Sequence, residues 1–563
     1  MMRFSLSLST ALVALLAQSV AGLGLRSSLA RKLQLSAELG LDPKHFLDRH
    51  QSFHSASAKT SDSGISPDYV SVCSRSMLLP IDHDDPSVGT YKNRYWVNDD
   101  YFEPGGPVIL YDAGESNAEG SVSHLTSDLT FLSRLLDEFK AIGVIWEHRY
   151  YGESLPYPVS NQTPPEHFKY LTTAQALADI PVFAENFSRP AFEDLDLTPK
   201  STPWIMVGGS YAGIRAALAR QEYPDTIFAA LASSAPVQAR INMSSYNDQV
   251  YRGMVGNGAG NCSKDIHAAF EYIDDQLSHE RTAASIKQLF FGAGAEKNSN
   301  EGFTAALGAI FGFYQTYGMG GPAGSLGDFC NYLERDPVTN TTVGSEGLAP
   351  HRGNKYVAER WAKWAPLTEL VNLNMDTNCR GLDNSTAPSC KLNSLTADAD
   401  SIAWTWQYCT EWGFYQINNV GAQSILSRFQ TLESQQEICN RQFPDAVKSG
   451  LLPSEPQANT LNEVFGGWTI RPSNVFFTEG EFDPWRTLSL LSTEEFSPRF
   501  NVTSDIPKCG VQTDAGTVFG HVGPNAFHCF DLDLFNDGAK ESLGYFRQAL
   551  KEWLPCFEEQ KHD

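Results

Sequence analysis

The sequence predicts an α/β fold: a mainly parallel β-sheet with helices on both faces, interrupted by a long insertion. Three observations carry that expectation. Short apolar runs alternate with amphipathic stretches between residues 90 and 240. A serine flanked by small residues, Val207-Gly208-Gly209-Ser210-Tyr211-Ala212-Gly213, joins a strand-like run to a helix-like one. The strand pattern then returns at Asn474-Val475-Phe476-Phe477-Thr478, after some two hundred residues in which it is absent. Alternating strand and helix signals imply βαβ units and parallel pairing.

The elements follow in order. Val108-Ile109-Leu110-Tyr111 is a buried strand after Gly105-Gly106-Pro107, and Phe131, Leu132, Leu135 and Leu136 line one face of a helix over 129–139. Ile142 to Trp146 is the next strand. Ala174 to Phe187 is helical despite Pro181, Ile205 to Val207 is a strand, and Tyr211 to Tyr223 is a helix stopped by Pro224. Ile227 to Ala232 is a further strand. Between 240 and 465 aromatic, helical and loop-like segments mix, as expected of one large, mostly helical insertion. The chain closes on an amphipathic helix, Lys540 to Leu554, with Leu543, Phe546, Leu550, Trp553 and Leu554 on one side.

A length of 563 residues exceeds what one compact core holds. The division expected is a signal peptide over 1–21, an N-terminal extension or pro-segment over 22–65, a first core part over 66–239, the insertion over 240–465 and a second core part over 466–563. The signal reading rests on Arg3, the apolar run Ala11 to Ala17 and the small residues Ser19-Val20-Ala21. A formal charge of −24 argues against a nucleic-acid partner, and no later run is long enough to cross a membrane. Sequons at Asn186, Asn242, Asn261, Asn340, Asn384 and Asn501, with a weaker one at Asn161 before Pro164, fit glycosylation on a secretory route. The 10 widely spaced cysteines read as disulfides, of unassigned pairing. The protein is expected to be secreted, with a vacuolar or lysosomal location as the variant; monomer and homodimer both stay open.

A serine hydroxyl needs a base, an acid to orient that base, and donors for the oxyanion. A strand–turn–helix elbow presents such a serine, and tiny neighbours relieve the crowding. Gly208 and Ala212 meet that need around Ser210, as G-x-S-x-A. The acid and then the histidine follow in chain order on this architecture. Asp483 lies just after the returning strand, with Glu479 and Glu481 as rival acids. His528 lies in the loop ahead of the last helix, with His521 as its rival. No HExxH, phosphate loop or dinucleotide fingerprint is present, and Gly318-Met319-Gly320-Gly321 lacks the strand–helix context; neither metal nor cofactor is expected.

These segments resemble the family of lysosomal Pro-X carboxypeptidase and dipeptidyl peptidase II, and within it the secreted fungal prolyl peptidases. The resemblance is carried by Arg94-Tyr95-Trp96, the run Glu147 to Ser154, the run Leu171 to Asp179, Gly208-Gly209-Ser210-Tyr211, the run Ser233 to Val237, Cys409-Thr410-Glu411, Asp483-Pro484-Trp485 and the run Phe527 to Leu532. It implies an α/β-hydrolase core with a helical cap inserted between nucleophile and acid, and a serine peptidase cutting after proline in peptide or protein substrates. Ser210 matches the nucleophile, Asp483 the acid and His528 the base; Cys529 stands where many relatives carry a second histidine. The oxyanion donors expected are the backbone N–H of Tyr211 and one from the loop near Gly114-Glu115-Ser116, here assigned to Glu115. Trp485 resembles the pocket tryptophan; Trp404, Trp406, Trp412 and Phe414 are further aromatic candidates, and Glu411 and Glu115 match acidic positions near the cleft, where either would hold a substrate amine or a neighbouring loop. The run Glu147-His148-Arg149 reads as structural support. An esterase or lipase on the same triad, and an inactive binding protein on the same scaffold, remain open alternatives. So does the choice between exo- and endo-cleavage.

Overall fold

The computed structural model describes residues 33, 34, 36, 37, 73–128, 130–382, 390–536 and 538–560. The expected signal peptide, most of the extension to residue 65 and the Asn384 sequon lie outside them. Of the remaining sequons, Asn161, Asn186, Asn242, Asn340 and Asn501 are exposed and Asn261 is half-buried. The chain forms two compact units. Among the described residues, one comprises those within Ser27–Val250, Ala399–Tyr415 and Phe443–Asp563; the other comprises those within Tyr251–Asp398 and Gln416–Gln442.

The first unit is organised by a nine-stranded sheet. Its strands are β1 (Arg75–Pro80), β2 (Thr90–Asn98), β3 (Val108–Asp112), β4 (Ile142–Trp146), β5 (Trp204–Gly209) and β6 (Ala229–Ser233), with β9 (Val475–Gly480), β10 (Asn501–Thr503) and β11 (Thr517–Gly523) from the far end of the chain. They lie in the order β1-β2-β4-β3-β5-β6-β9-β11-β10. β1 pairs antiparallel with β2, and β2 antiparallel with β4; every other pairing is parallel. This is the α/β-hydrolase arrangement. The antiparallel edge was not legible beforehand, because the mixed run Arg-Ser-Met-Leu-Leu-Pro of β1 has no clean period.

The central strands behave as sequence predicts. β3, β4 and β6 are buried along their whole length, as expected of parallel strands covered on both faces. Helix α1 (Phe131–Phe139) begins where Thr130 caps the Ser133 N–H and ends at Lys140 in a left-handed turn. Helix α2 (Thr173–Glu185) is capped by Thr172 and runs through Pro181. Helix α3 (Tyr211–Glu222) leaves directly from the end of β5. Ile109, Ile145, Val207, Leu231, Phe476 and Phe519 pack with Phe546, Leu550 and Trp553 of the C-terminal helix Ala539–Gln560 in one apolar cluster. Each such fully buried side chain contributes about 1.5–3 kcal/mol. Cys509–Cys556 ties the same helix to the loop before β11. A second sheet pairs β7 (Arg240–Asn242) in parallel with β8 (Gly413–Tyr415).

The second unit is helical among its described residues. Gly260–Leu277 and Asn354–Trp361 pack together around Phe270 and Trp361, and Cys262–Cys330 and Cys379–Cys390 cross-link it. The compact units do not follow the single 240–465 division. Residues 399–415 and 443–465, read from sequence as part of the insertion, group with the sheet. The reason is physical: Ala399–Tyr415 hydrogen-bonds and packs onto α3 and β7, as described next.

Candidate active site

Ser210 stands at the junction of β5 and α3 with φ 60° and ψ −127°. That conformation strains any residue with a Cβ. Two backbone bonds hold it: the Ser210 N–H donates to the Ser233 carbonyl at 2.9 Å, and the Ile214 N–H donates to the Ser210 carbonyl at 3.1 Å. The α3 N-terminus, with its unpaired N–H groups and positive dipole end, opens at this residue.

Asp483 follows β9 and caps the short helix Pro484–Leu488, accepting from the Trp485 N–H at 2.8 Å. His528 Nδ1 lies 3.0 and 2.9 Å from the two Asp483 oxygens, and both side chains are buried. Two of the rival groups, Glu481 and His521, are engaged elsewhere. Glu481 accepts from the Asn525 N–H at 2.7 Å, and His521 Nδ1 meets Ser542 Oγ at 2.6 Å. Burial alone would lower the His528 pKa, but the Asp483 charge and hydrogen bond, aided by Cys529, carry it well above the ordinary imidazole value. His528 Nε2 is buried and hydrogen-bonds nothing among the described residues. The expected contact from the Ser210 hydroxyl is therefore not made in this structure; such bonds often tighten only on a bound substrate.

The elbow and the histidine loop are nonetheless neighbours. A Cβ placed on Gly209 would fall 2.9 Å from Cys529 Sγ and 2.9 Å from Leu532 Cδ1. Sequence reading missed the groups that hold them there. Asp531 accepts from Ser233 Oγ at 2.5 Å and from Thr478 Oγ1 at 2.7 Å. The Cys529 N–H donates to Ser234 Oγ at 2.7 Å. The signal lay in the Ser233-Ser234 and Phe530-Asp531-Leu532 segments, but their pairing is between residues almost three hundred positions apart.

Tyr211, the next residue after the serine, is locked from its hydroxyl end. Gln407 Nε2 donates to it at 2.7 Å, His148 Nε2 lies 3.2 Å away, and Tyr151 donates to Gln407 Oε1. The Gly114 N–H donates to Asp112 Oδ1 at 2.9 Å, Asp112 Oδ2 receives Arg215 Nε at 2.6 Å, and Gly114 packs against Ala212. The loop carrying Glu115 thus sits against the α3 N-terminus. Glu147 and Arg149 are structural, as expected: Glu147 pairs with Arg94 and Arg149 with Asp179, each at 2.7 Å.

The aromatic candidates separate into two groups. Trp412 stacks on Phe414 at 5.5 Å and meets Tyr211 at 6.0 Å; Phe414 in turn meets Trp485 edge-on at 5.1 Å, and Trp485 lies 6.4 Å from the His528 ring. Trp404 touches Tyr211 at 5.4 Å. Trp406 instead packs between Phe168 and Phe443. Glu411 lies in a π-helical turn, Tyr408–Trp412, and its Oε2 accepts from the Thr173 N–H and hydroxyl at 2.9 and 2.8 Å. Burial pushes its pKa up to about 7 against those bonds.

A profile of serine carboxypeptidase S28 matches residues 80–499. The chain belongs to the S28 family of serine peptidases. It is 30% identical over 453 residues to a "Probable extracellular serine carboxypeptidase" of Arthroderma benhamiae, covering 74% of this chain and 59% of that one. It is 29% identical over 483 residues to the mouse "Thymus-specific serine protease", covering 83% and 84%. It is 28% identical over 410 residues to the mouse "Lysosomal Pro-X carboxypeptidase", covering 70% and 74%. Among the described residues of this chain, no helix is long and apolar enough to cross a membrane.

Proposed function

We propose that the protein is a secreted serine peptidase that hydrolyses peptide bonds after proline, using Ser210 as nucleophile, His528 as base and Asp483 as orienting acid. One observation carries the reading: a serine in strained backbone at a strand–helix elbow, beside a loop whose buried histidine bonds a buried carboxylate through Nδ1. With Nδ1–H donated to Asp483, the Nε2 lone pair is left to take the Ser210 proton. Ser210 Oγ attacks the substrate carbonyl. The backbone N–H groups of Tyr211 and Glu115 receive the oxyanion, His528 returns its proton to the leaving amine, and water resolves the acyl-enzyme. Because Asp483 favours the imidazolium, activity rises with pH as the His528 proton leaves.

Preference for proline follows from a rigid apolar ring meeting flat aromatic surfaces. Trp485, 6.4 Å from the His528 ring, supplies one, and Phe414 and Trp412 continue the aromatic surface from it. Glu411, held by Thr173, fixes the turn that carries Trp412. The relative named for Pro-X cleavage supports the same preference.

The test has two arms. A fluorophosphonate probe is expected to label the native protein and not Ser210→Ala; an unlabelled native protein would favour the inactive binding scaffold. Mass spectrometry of a proline-rich peptide after digestion is expected to show termini at proline. Turnover of short-chain esters with no peptide cleavage would replace the peptidase reading with an esterase.

A further inference from the structure

A third titratable group, Glu479, belongs with the Asp483–His528 pair. Glu479 is the penultimate residue of β9, opposite Val522 of β11, and is 1% exposed. Its Oε2 is buried and hydrogen-bonds nothing among the described residues. The groups that act on it are Asp483 and His528, Ser489 through a hydrogen bond, and Arg486. Arg486 is the weakest of these influences, and its guanidinium donates to the Leu491 and Glu481 carbonyls. The other charged groups nearby point elsewhere: His521 to Ser542, Asp531 to Ser233 and Thr478, and Glu481 to Asn525.

We propose that Glu479 holds a proton beside the Asp483–His528 pair, so that it adds no second carboxylate charge to the one Asp483 presents to the imidazole. The inference rests on the triad reading above. A buried charge with only a hydroxyl bonded to it costs far more than a buried neutral carboxyl, and two carboxylates sharing a dry site cannot both ionise cheaply. Asp483 has the imidazole and the Trp485 N–H to stabilise its charge; Glu479 has neither. The proton therefore sits on Glu479, whose pKa burial and the Asp483 charge drive far above the ordinary value. The consequence falls on the base. A second anion would hold His528 protonated to higher pH and push the onset of activity upward. A neutral Glu479 prevents that without altering the strand.

The test uses the full-length protein and its Glu479→Gln, Glu479→Asn, Asp483→Asn and Ser210→Ala variants. Infrared difference spectra between wild type and Glu479→Gln at about pH 6 are expected to show one protonated-carboxyl band, present only in the wild type. The midpoint at which that band disappears with rising pH is expected to fall by about one unit or more in Asp483→Asn, because the coupling is reciprocal. The pH midpoint of the acid limb of fluorophosphonate labelling is expected to coincide in wild type and both neutral variants, whatever the plateau rate of each. Absence of the band, or an acid limb displaced to lower pH by about one unit in Glu479→Gln, would show Glu479 charged and overturn the proposal. A band midpoint unmoved in Asp483→Asn would reduce Glu479 to a structural residue. Labelling of Ser210→Ala would refute the triad reading and leave the protonation of Glu479 to the spectra.

Discussion

Ser233 and Asp531 lie 298 residues apart in sequence and meet at 2.5 Å. The contact ties the end of β6 to the loop that carries His528, and the Ser233 carbonyl receives the Ser210 N–H. One residue thus touches both the nucleophile elbow and the anchor of the base. Thr478 on β9 completes the clamp from the strand that leads to Asp483.

Asp531→Ala removes the acceptor of two buried hydroxyls. The loss is expected to cost about 2–4 kcal/mol of stability, since unsatisfied buried donors are expensive. Labelling of Ser210 by a fluorophosphonate is expected to slow by about tenfold or more below the melting transition, as the imidazole loses its position. Thermal denaturation and labelling rates measured on the same preparation separate the two effects. Wild-type labelling in a destabilised variant would disconnect the clamp from the base.

Gly480→Ala tests the approach of the histidine loop from the other side. A Cβ there would lie 2.4 Å from the Phe527 carbonyl oxygen and 2.5 Å from that of Ala526. Backbone must move to relieve this contact, and the backbone concerned leads into His528. We expect labelling of Ser210 and peptide cleavage both to fall about a hundredfold, because displacements of about 1 Å at reacting groups have that effect. Retained activity would mean that the loop yields without moving the imidazole.

The Arg149–Asp179 pair sets an acid limit on stability. Burial would raise the Asp179 pKa, but the Arg149 charge and two bonds, with His83 adding a third, bring it down to about 2. A depressed carboxylate stabilises the fold above its unfolded value and loses that contribution as pH falls through the folded one. Wild-type stability should therefore decline between about pH 4 and about pH 2. Asp179→Asn should flatten the decline and cost about 3–5 kcal/mol at neutral pH by stranding Arg149. Denaturant titrations across that range read both.

Glu334 in the helical unit has the opposite sign. It is buried; burial and the neighbouring Asp265 raise its pKa far above the ordinary value, with Arg360 opposing. A raised carboxyl stabilises at low pH and loses that contribution as pH climbs above its unfolded value, about 4.5. Glu334→Gln is expected to raise the melting temperature at pH 7 by several degrees, and to leave it unchanged at about pH 4. Equal shifts at both pH values would exclude titration of Glu334 as the cause.

The central strands and the elbow are legible in the sequence, because their signals are local. Val108 to Tyr111, Ile142 to Trp146 and Ile205 to Val207 are apolar runs of strand length, and small residues around Ser210 announce a crowded turn. It also placed Asp483 and His528 in chain order after the returning strand. The folded chain alone shows which acid bonds His528, that Asp531 anchors the histidine loop to Ser233 and Thr478, that Gln407 locks Tyr211, and that residues 399–415 join the sheet unit. Each of those is a contact between separate elements, from 45 residues apart for His528 and Asp483 to 298 for Ser233 and Asp531. Periodicity reports which face of an element is apolar; it carries no information about which polar groups meet when the faces close.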